Sequence, residues 1–173
     1  MKKSMSALTI WVWIAAITSP AIAYADETAR DALFHIERNK NANIVQYDAQ
    51  LDQNGMLDPN QPVIVYWVRL AEQGQVRKLS WIEKKFAYGF SAKTNKDENT
   101  AILKMAPNLG QTIMVKRDDG DYRAIADING VTCYIDKLFI HAQGKGLATR
   151  VSYVEWYGIS VDKHEEQYER FYP

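Results

Sequence analysis

The sequence predicts an all-β domain, a single antiparallel meander folded as a sandwich or a barrel of about eight or nine strands with one short α-helix. Short runs of β-branched and aromatic residues alternate with polar ones, and turn residues separate these runs. No internal repeat and no low-complexity tract interrupts the pattern. A sandwich and a barrel both solve the problem of an open sheet edge, so both architectures stay open at this point.

The first half of the domain contains three predicted strands. Phe34 and Ile36 fall on one face of the first strand, and His35 and Glu37 fall on the other. The third strand is almost continuously apolar, which is typical of a central strand covered on both faces. The predicted strands are residues 33–38, 43–51 and 63–70.

One segment departs from the strand pattern and predicts a short helix over residues 81–88. Ser80 and Glu83 match a capping box, in which each side chain satisfies a free backbone amide at the helix start. Ile82 and Phe86 follow at helical spacing, which predicts an amphipathic helix packed across the sheet or plugging one end of it. Gly89 stands where a left-handed cap often ends a helix.

The second half returns to strands joined by tight turns. Asp119-Gly120 and Asn129-Gly130 predict hairpins, because these residues readily adopt the positive φ angles that two-residue turns require. A turn over residues 144–146 leads into a long last strand, and the tail over residues 162–173 is expected to form one helical turn. The predicted strands are residues 90–93, 100–105, 112–117, 122–128, 131–141 and 147–161.

The first 25 residues have the pattern of a secretory signal peptide. Lys2 and Lys3 give a positive start, an apolar run follows over residues 8–17, and Ala23-Tyr24-Ala25 forms a small-x-small cleavage site. The apolar run is about half of what a membrane-spanning helix needs. We therefore expect cleavage near Ala25, a single β-rich domain over residues 26–173, a periplasmic or secreted location, and no stable membrane insertion.

Charge and cysteine content exclude several classes of protein. Removing Lys2 and Lys3 from the 21 basic residues leaves 19 against 21 acidic ones, and this overall balance gives no drive toward nucleic acid or anionic lipid. The only cysteine, Cys133, cannot form an internal disulfide. A buried apolar role for Cys133 is the simpler interpretation, and an intermolecular disulfide or a redox thiol is the alternative.

Three segments of the chain resemble a domain-of-unknown-function family, the one numbered four-eight-three-three. They are His35-Ile36-Glu37-Arg38-Asn39-Lys40-Asn41-Ala42-Asn43-Ile44, residues 62–72, and Ile82-Glu83-Lys84-Lys85-Phe86-Ala87-Tyr88-Gly89-Phe90. The Arg-x-Lys-Asn-x-Asn segment leading into a strand is the marker of this family, and the resemblance covers residues 33–157. It implies a single exported domain and no particular activity.

A polar segment between the first two strands is the first candidate for a ligand site. Cations and carboxamides suit the recognition of carboxylates, phosphates or sugars, although Asn is also common in hairpin loops. Two aromatic residues farther along the chain are candidates for stacking faces, with the core as the alternative place for them. The candidate ligand-binding residues are Arg38, Asn39, Lys40, Asn41, Asn43, Trp67 and Tyr88.

The sequence supports catalysis and metal binding only weakly. His35 and Glu37 share a strand face and are the candidate acid–base pair. Cys133 and His141 would lie roughly 26 Å apart on one extended strand, so they cannot form a catalytic pair there. No pair of residues has the spacing of a structural zinc site, and we expect neither a metal nor a cofactor.

These observations favour a soluble, monomeric exported domain that binds an envelope small molecule, a glycan or a partner protein. The alternative is a hydrolase acting on an envelope component, and a third class is a subunit that assembles through an exposed strand edge. A cavity rimmed by Arg38, Lys40 and Asn43 beside Trp67 or Tyr88 would favour binding. A concave pocket around His35, Glu37 and a further acid or histidine would favour an enzyme.

Overall fold

The computed structural model describes residues 31–107, 109–144 and 149–173. The predicted signal peptide and most of the predicted turn over residues 144–146 lie outside the described residues. The strands are β1 (Ala32–Arg38), β2 (Asn41–Ala49), β3 (Val63–Arg69), β4 (Gln75–Lys78), β5 (Phe90–Asn95), β6 (Thr100–Met105), β7 (Ile113–Asp118), β8 (Asp121–Ile128), β9 (Val131–Gln143), β10 (Arg150–Ser160) and β11 (Glu166–Phe171). The all-β prediction with one short helix is confirmed.

The eleven strands form one mixed sheet that curls into a half-barrel. The strand order is β4-β3-β2-β1-β9-β8-β7-β6-β5, and β10 pairs with both β9 and β11. All neighbours are antiparallel except β1 and β9, which run parallel. The parallel pair joins two meanders, β1–β4 and β5–β9. Within each meander, strands that are consecutive in sequence are neighbours in the sheet.

Strand β9 is the centre of the architecture because it contacts three other strands. It pairs with β8 over residues 131–134 and with β1 over residues 137–140. Strand β10 pairs with β9 along nearly its whole length. A strand has only two edges, so β8 and β1 share one edge of β9 and β10 occupies the other.

The core covers the concave side of the half-barrel. Strand alternation places Ile36 of β1 beside Val45 of β2, and Val45 beside Trp67 of β3. Phe34 stacks on Tyr47 with ring centroids 4.5 Å apart. The largest fully buried side chains come from both halves of the chain: Trp156, Tyr47, Tyr122, Ile36, Leu103, Ile113, Ile128, Leu138, Val45, Val63, Val115 and Val154.

The two hairpins predicted from Asp-Gly and Asn-Gly are confirmed. Asp119 and Gly120 have φ angles of 48° and 93°, and Asn129 and Gly130 have φ angles of 55° and 79°. Positive φ at both central residues matches the right-handed twist of the flanking strands. Cys133, close after the second hairpin, is fully buried, as its simpler interpretation predicted.

The predicted helix forms as a single α-helical turn, α1 (Trp81–Glu83), that continues as a π-helical turn (Lys84–Tyr88). The capping box is confirmed: the backbone N–H of Glu83 donates to the Ser80 hydroxyl at 3.3 Å, and the backbone N–H of Ser80 donates to the Glu83 carboxylate at 2.6 Å. Tyr88, at the far end of the segment, is buried.

Two expectations about this helix are wrong. Gly89 is extended, with φ −78° and ψ 173°, and is not a left-handed cap. Its role is close approach, since a Cβ there would lie 1.9 Å from the Lys84 carbonyl oxygen. Ile82 and Phe86 do not pack against the sheet. Both are exposed, as is Trp81, because the buried contacts are made at the ends of the segment, by Leu79 and Tyr88.

Two further expectations about strands are wrong, and one strand was not predicted. The apolar strand β3 is not central: it lies beside the edge strand β4, and only Val63 and Trp67 are buried in it. Strand β4 escaped prediction because all four of its residues are exposed and no apolar alternation marks it. The tail forms β11 and not a helical turn, because Glu155 of β10 accepts hydrogen bonds from Tyr168 and Arg170.

Candidate functional site

The open end of the concave face carries a cluster of charged and aromatic side chains. Trp67 of β3 and Arg77 of β4 are cross-strand partners, in the same row as the core residues Ile36 and Val45. Because side chains alternate along a strand, the residues two positions farther along share that face. These residues, at the strand ends, are Arg38, Asn43 and Arg69. The sheet therefore presents polar groups where its apolar core ends.

Arg38 contacts two aromatic side chains. Its guanidinium carbon lies 4.4 Å from the centroid of Trp67 and 5.8 Å from that of Tyr88. One guanidinium nitrogen, Nη1, donates to the Tyr88 hydroxyl at 2.8 Å. Burial raises the pKa of Tyr88, and Arg38 opposes that rise. The phenol therefore stays neutral and acts as a hydrogen-bond acceptor for Arg38.

The charge of Arg38 is not compensated within the described part of the chain. None of the carboxylates there forms an ion pair with it. Its Nε is buried without a hydrogen-bond partner, and the same is true of Oδ1 of Asn43. An unpaired buried polar group costs about 1–3 kcal/mol, so both atoms are better satisfied with a ligand present than without one.

Glu83 forms the opposite wall of the site. One carboxylate oxygen accepts from the indole N–H of Trp67 at 3.0 Å and from Arg77 at 2.6 Å, and the other accepts the Ser80 backbone amide. Burial acts to raise the pKa of Glu83, but these donors outweigh it and lower the pKa to about 2. The carboxylate is therefore ionised at neutral pH and fixes the indole ring in place.

Together these residues line an open cleft of about 250 Å³. Three guanidinium groups and one carboxylate face it, with Asn43 and the Trp67 ring. Arg69 pairs with Glu72, and Arg77 pairs with Glu83, so Arg38 is the group left for an incoming anion. The residues that line the cleft are Arg38, Asn43, Trp67, Arg69, Arg77 and Glu83.

The structure brings together four of the seven candidate ligand-binding residues, Arg38, Asn43, Trp67 and Tyr88. The side chains of the other three make structural hydrogen bonds to the backbone instead. Asn39 exchanges two hydrogen bonds with the backbone of Ala142, at 3.2 and 3.0 Å, and Lys40 donates to the Gly144 carbonyl at 3.1 Å. The side chain of Asn41 accepts from the backbone of Asn43 at 3.1 Å.

Sequence reasoning missed Arg69, Arg77 and Glu83 as residues of this site. Glu83 was identified as a capping residue, and its second role depends on the distance between α1 and β3. Arg69 lies two positions after Trp67, so strand alternation already placed the two on one face. Arg77 carried no such signal, because its strand was not predicted.

His35 and Glu37, the candidate acid–base pair, are in contact on the opposite face of the sheet. Nε2 of His35 lies 3.2 Å from Oε1 of Glu37. Lys137 of β9 also donates to both Glu37 oxygens at 3.2 Å. Burial acts to raise the pKa of Glu37, but hydrogen bonds from His35 and Lys137 outweigh it and lower the pKa. Glu37 is thus an ionised partner of a lysine, and no second acid or histidine joins the pair in these contacts.

The described residues contain neither a candidate metal centre nor a candidate membrane-spanning helix. No group of three or more His, Cys, Asp or Glu side chains in this part of the chain is arranged to hold a metal ion. Among the same residues, no helix has both the length and the apolar character needed to cross a membrane.

Comparison with known proteins agrees with the resemblance seen in the sequence. Residues 34–170 match the family described as Domain of unknown function (DUF4833), which is most of the chain. No curated protein and no solved structure matches the chain. The match spans β1 through nearly all of β11, and with it every residue of the cleft. The chain belongs to the DUF4833 family.

Proposed function

We propose that this protein is an exported binding domain that holds the carboxylate of a small envelope molecule, or of the end of a larger one, in the cleft beside Arg38. The observation that carries the proposal is the guanidinium of Arg38, stacked on Trp67 with a buried, unpartnered Nε. Arginine presents a planar fork that can bind a carboxylate through two parallel hydrogen bonds. Arg38 therefore offers the main contact for the ligand.

The neighbouring groups narrow the chemistry of the ligand. Asn43 has an unpartnered acceptor, which favours a ligand that carries a hydroxyl or amino donor near its carboxylate. A cleft of about 250 Å³ is smaller than most drug-sized pockets. Sugar acids and the carboxyl ends of envelope peptides combine these properties, and the exposed rim leaves room for the rest of a longer chain.

The direct test is a thermal-shift screen of sugar acids, peptidoglycan peptides and small hydroxy acids. Ligand at about a hundred times its Kd should stabilise the protein by about 2.7 kcal/mol. The Arg38→Met variant should weaken binding of any hit by at least about thirtyfold, because a buried charge pair contributes about 2–5 kcal/mol. The amide analogue of the hit should bind as poorly to the unchanged protein.

Lys40→Met is the matched control. Lys40 belongs to the same loop and has the same charge, but it donates to Gly144 and does not line the cleft. Affinity should change by less than about twofold in this variant. A hit that binds Arg38→Met as tightly as the unchanged protein would exclude the cleft as its site.

Export and a periplasmic or secreted location form the second part of the proposal. The basic start, the short apolar run and the Ala23-Tyr24-Ala25 cleavage site support it. Cell fractionation with mass spectrometry of the N-terminus tests it. We expect the protein outside the cytoplasm with a chain that begins near Asp26, and an intact N-terminus in the cytosol would contradict the proposal.

The second candidate function is hydrolysis of an envelope component by His35 and Glu37. The 3.2 Å contact between the two side chains favours it, since it brings a base and an acid into hydrogen-bond distance. Glu37 is also paired with Lys137, however, and this pairing favours ligand binding in the cleft on the opposite face of the sheet over hydrolysis. Turnover of envelope substrates that His35→Gln and Glu37→Gln each abolish would establish the hydrolase, and turnover unchanged in both variants would exclude this pair.

A further inference from the structure

We propose that the helical segment between β4 and β5 docks the protein on an anionic lipid surface. The docking tip consists of Trp81, Ile82 and Phe86 together with Lys84 and Lys85. The proposal concerns residues outside the ligand cleft and does not rest on the proposed function.

The tip exposes three large apolar side chains to solvent. Trp81 is 68% exposed, Ile82 is 59% exposed and Phe86 is 63% exposed. The rings of Trp81 and Phe86 touch edge to face, with centroids 6.3 Å apart. These side chains therefore form one patch and not scattered surface residues, and contiguous exposed apolar patches mark interaction surfaces.

Positive charge surrounds this patch. Nζ of Lys85 lies 4.9 Å from the Trp81 ring centroid and 5.2 Å from that of Phe86. Lys84, in the same segment, and Lys78, three residues before Trp81, are also exposed. Among the ion pairs of the described residues, none involves these three lysines, and the one carboxylate of the segment, Glu83, is already paired with Arg77.

This combination fits the interface of a bilayer that carries anionic headgroups. Tryptophan and phenylalanine enter the boundary between headgroups and acyl chains, and lysines at the same level meet lipid phosphates. Each lysine near an anionic surface contributes about a fivefold gain in affinity. The apolar groups and the charges therefore select one partner together, a negatively charged lipid surface.

The docking tip is held in place by residues at its two ends and not by the apolar side chains that it exposes. Leu79 and Tyr88 anchor the two ends of the segment in the core, and the capping box fixes its first turn. Trp81, Ile82 and Phe86, which lie between these anchors, are exposed and are not part of the core cluster. Their substitution therefore tests docking without removing a buried contact.

The experiment is co-sedimentation with vesicles of phosphatidylcholine alone or mixed with phosphatidylglycerol. The protein is used as purified from cells, and all variants share its N-terminus, so any contribution of the first residues cancels. We expect binding to the mixed vesicles at low salt, loss of binding at high salt, and no binding to phosphatidylcholine alone. Absence of binding to the mixed vesicles, or equal binding to both kinds, would overturn the proposal.

Paired variants separate the two parts of the tip. Lys84→Gln with Lys85→Gln should weaken binding by about thirtyfold. Ile82→Ser with Phe86→Ser should weaken it by at least about tenfold, with unchanged thermal unfolding. The controls are Lys93→Gln with Lys104→Gln, exposed lysines elsewhere, and Ile102→Ser with Met114→Ser, a cross-strand pair that is 43% and 42% exposed. Tip variants that bind no worse than these controls would refute docking by this segment.

The fluorescence of Trp81 gives an independent readout. Trp67 and Trp156 are buried, so Trp81 is the exposed tryptophan of the described residues. Its emission should shift to the blue when mixed vesicles are added, and the shift should disappear in Trp81→Phe while binding persists. A blue shift that grows with protein concentration in the absence of lipid would indicate self-association through the patch and would overturn the lipid proposal.

Discussion

Glu83 is the residue on which the helix start and the cleft both depend. The same carboxylate caps α1 through the Ser80 amide and fixes the cleft through Trp67 and Arg77. Three donors converge on one acceptor group, and hydrogen bonds to a charged group are stronger than those between neutral groups. The capping box between Ser80 and Glu83 therefore also positions a residue of the cleft, although most of the cleft lies on the sheet.

Replacing Glu83 by Gln should make the stability of the protein less sensitive to acid. The folded pKa of about 2 lies below the ordinary value of 4.5, so the carboxylate stabilises the fold fully above that value and loses its contribution as the pH falls toward 2. Urea unfolding near neutral pH should show a loss of about 1–2 kcal/mol in the variant.

The comparison across pH is the decisive part of this measurement. The difference between the unchanged protein and Glu83→Gln should shrink steadily as the pH is lowered through the range between the two pKa values. Asp97→Asn, an exposed carboxylate in a surface turn with no ion pair, should leave both the stability and its pH dependence nearly unchanged. A difference in stability for Glu83→Gln that stays constant from neutral to acid pH would contradict the assignment.

The close contact between β9 and β10 depends on a glycine in β10. Gly158 of β10 pairs with Ile135 of β9, and a Cβ at Gly158 would lie 2.5 Å from the Tyr134 carbonyl oxygen and 2.8 Å from Cδ1 of Ile128. A register shift between Tyr157 and Gly158 accompanies this close approach. Glycine is required here for space, since β8, β9 and β10 converge at this position.

Gly158→Ala should destabilise the protein by about 1–3 kcal/mol, because the added methyl group forces the strands apart. The neighbouring substitution Ile159→Thr is the control, since Ile159 is exposed and the change keeps a β-branched side chain. It should alter the free energy of unfolding by less than about 0.5 kcal/mol. Chemical denaturation of the two variants measures both values, and equal stabilities would show that the strands can relax around the methyl group.

Local signals predicted strands well where they alternated or ended in defined turns. Strands β7, β8 and β9 and their hairpins are examples, because Asp-Gly and Asn-Gly fix the turn and the strands follow from it. Strands β4 and β11 lack such signals. Both pair with the strand that precedes them, but β4 is exposed throughout and β11 alternates only between exposed and half-buried side chains, so no apolar pattern marks either one.

At the scale of the whole molecule, β9 links the two meanders into one sheet. Cys133 lies on this strand where β8 and β10 both pair with it, and its side chain has no exposed surface. Burial raises the pKa of the Cys133 thiol, which lowers its reactivity further. Exposure of this thiol requires separation of the central strands, so Cys133 reports on global unfolding.

Labelling of Cys133 by a thiol reagent should therefore be slow in the folded protein and should follow the unfolding curve in urea. The apparent free energy from labelling should equal that from tryptophan fluorescence within about 1 kcal/mol. Rapid labelling of the folded protein, or labelling at a urea concentration well below the fluorescence transition, would indicate a local opening of β9.

The sequence by itself determined the all-β class, the capped helix start, the tight hairpins and the identity of Arg38, Asn43, Trp67 and Tyr88 as candidates, because each depends on neighbouring residues or on strand alternation. Only the tertiary structure decided which candidates meet. Asn39 and Lys40 form hydrogen bonds with the backbone at the end of β9. Arg77 of β4 and Glu83 of α1 line the cleft instead. The physical reason is that the parallel pairing of β1 with β9 and the curl of the sheet arise from contacts about a hundred residues apart in sequence, and such contacts leave no local pattern.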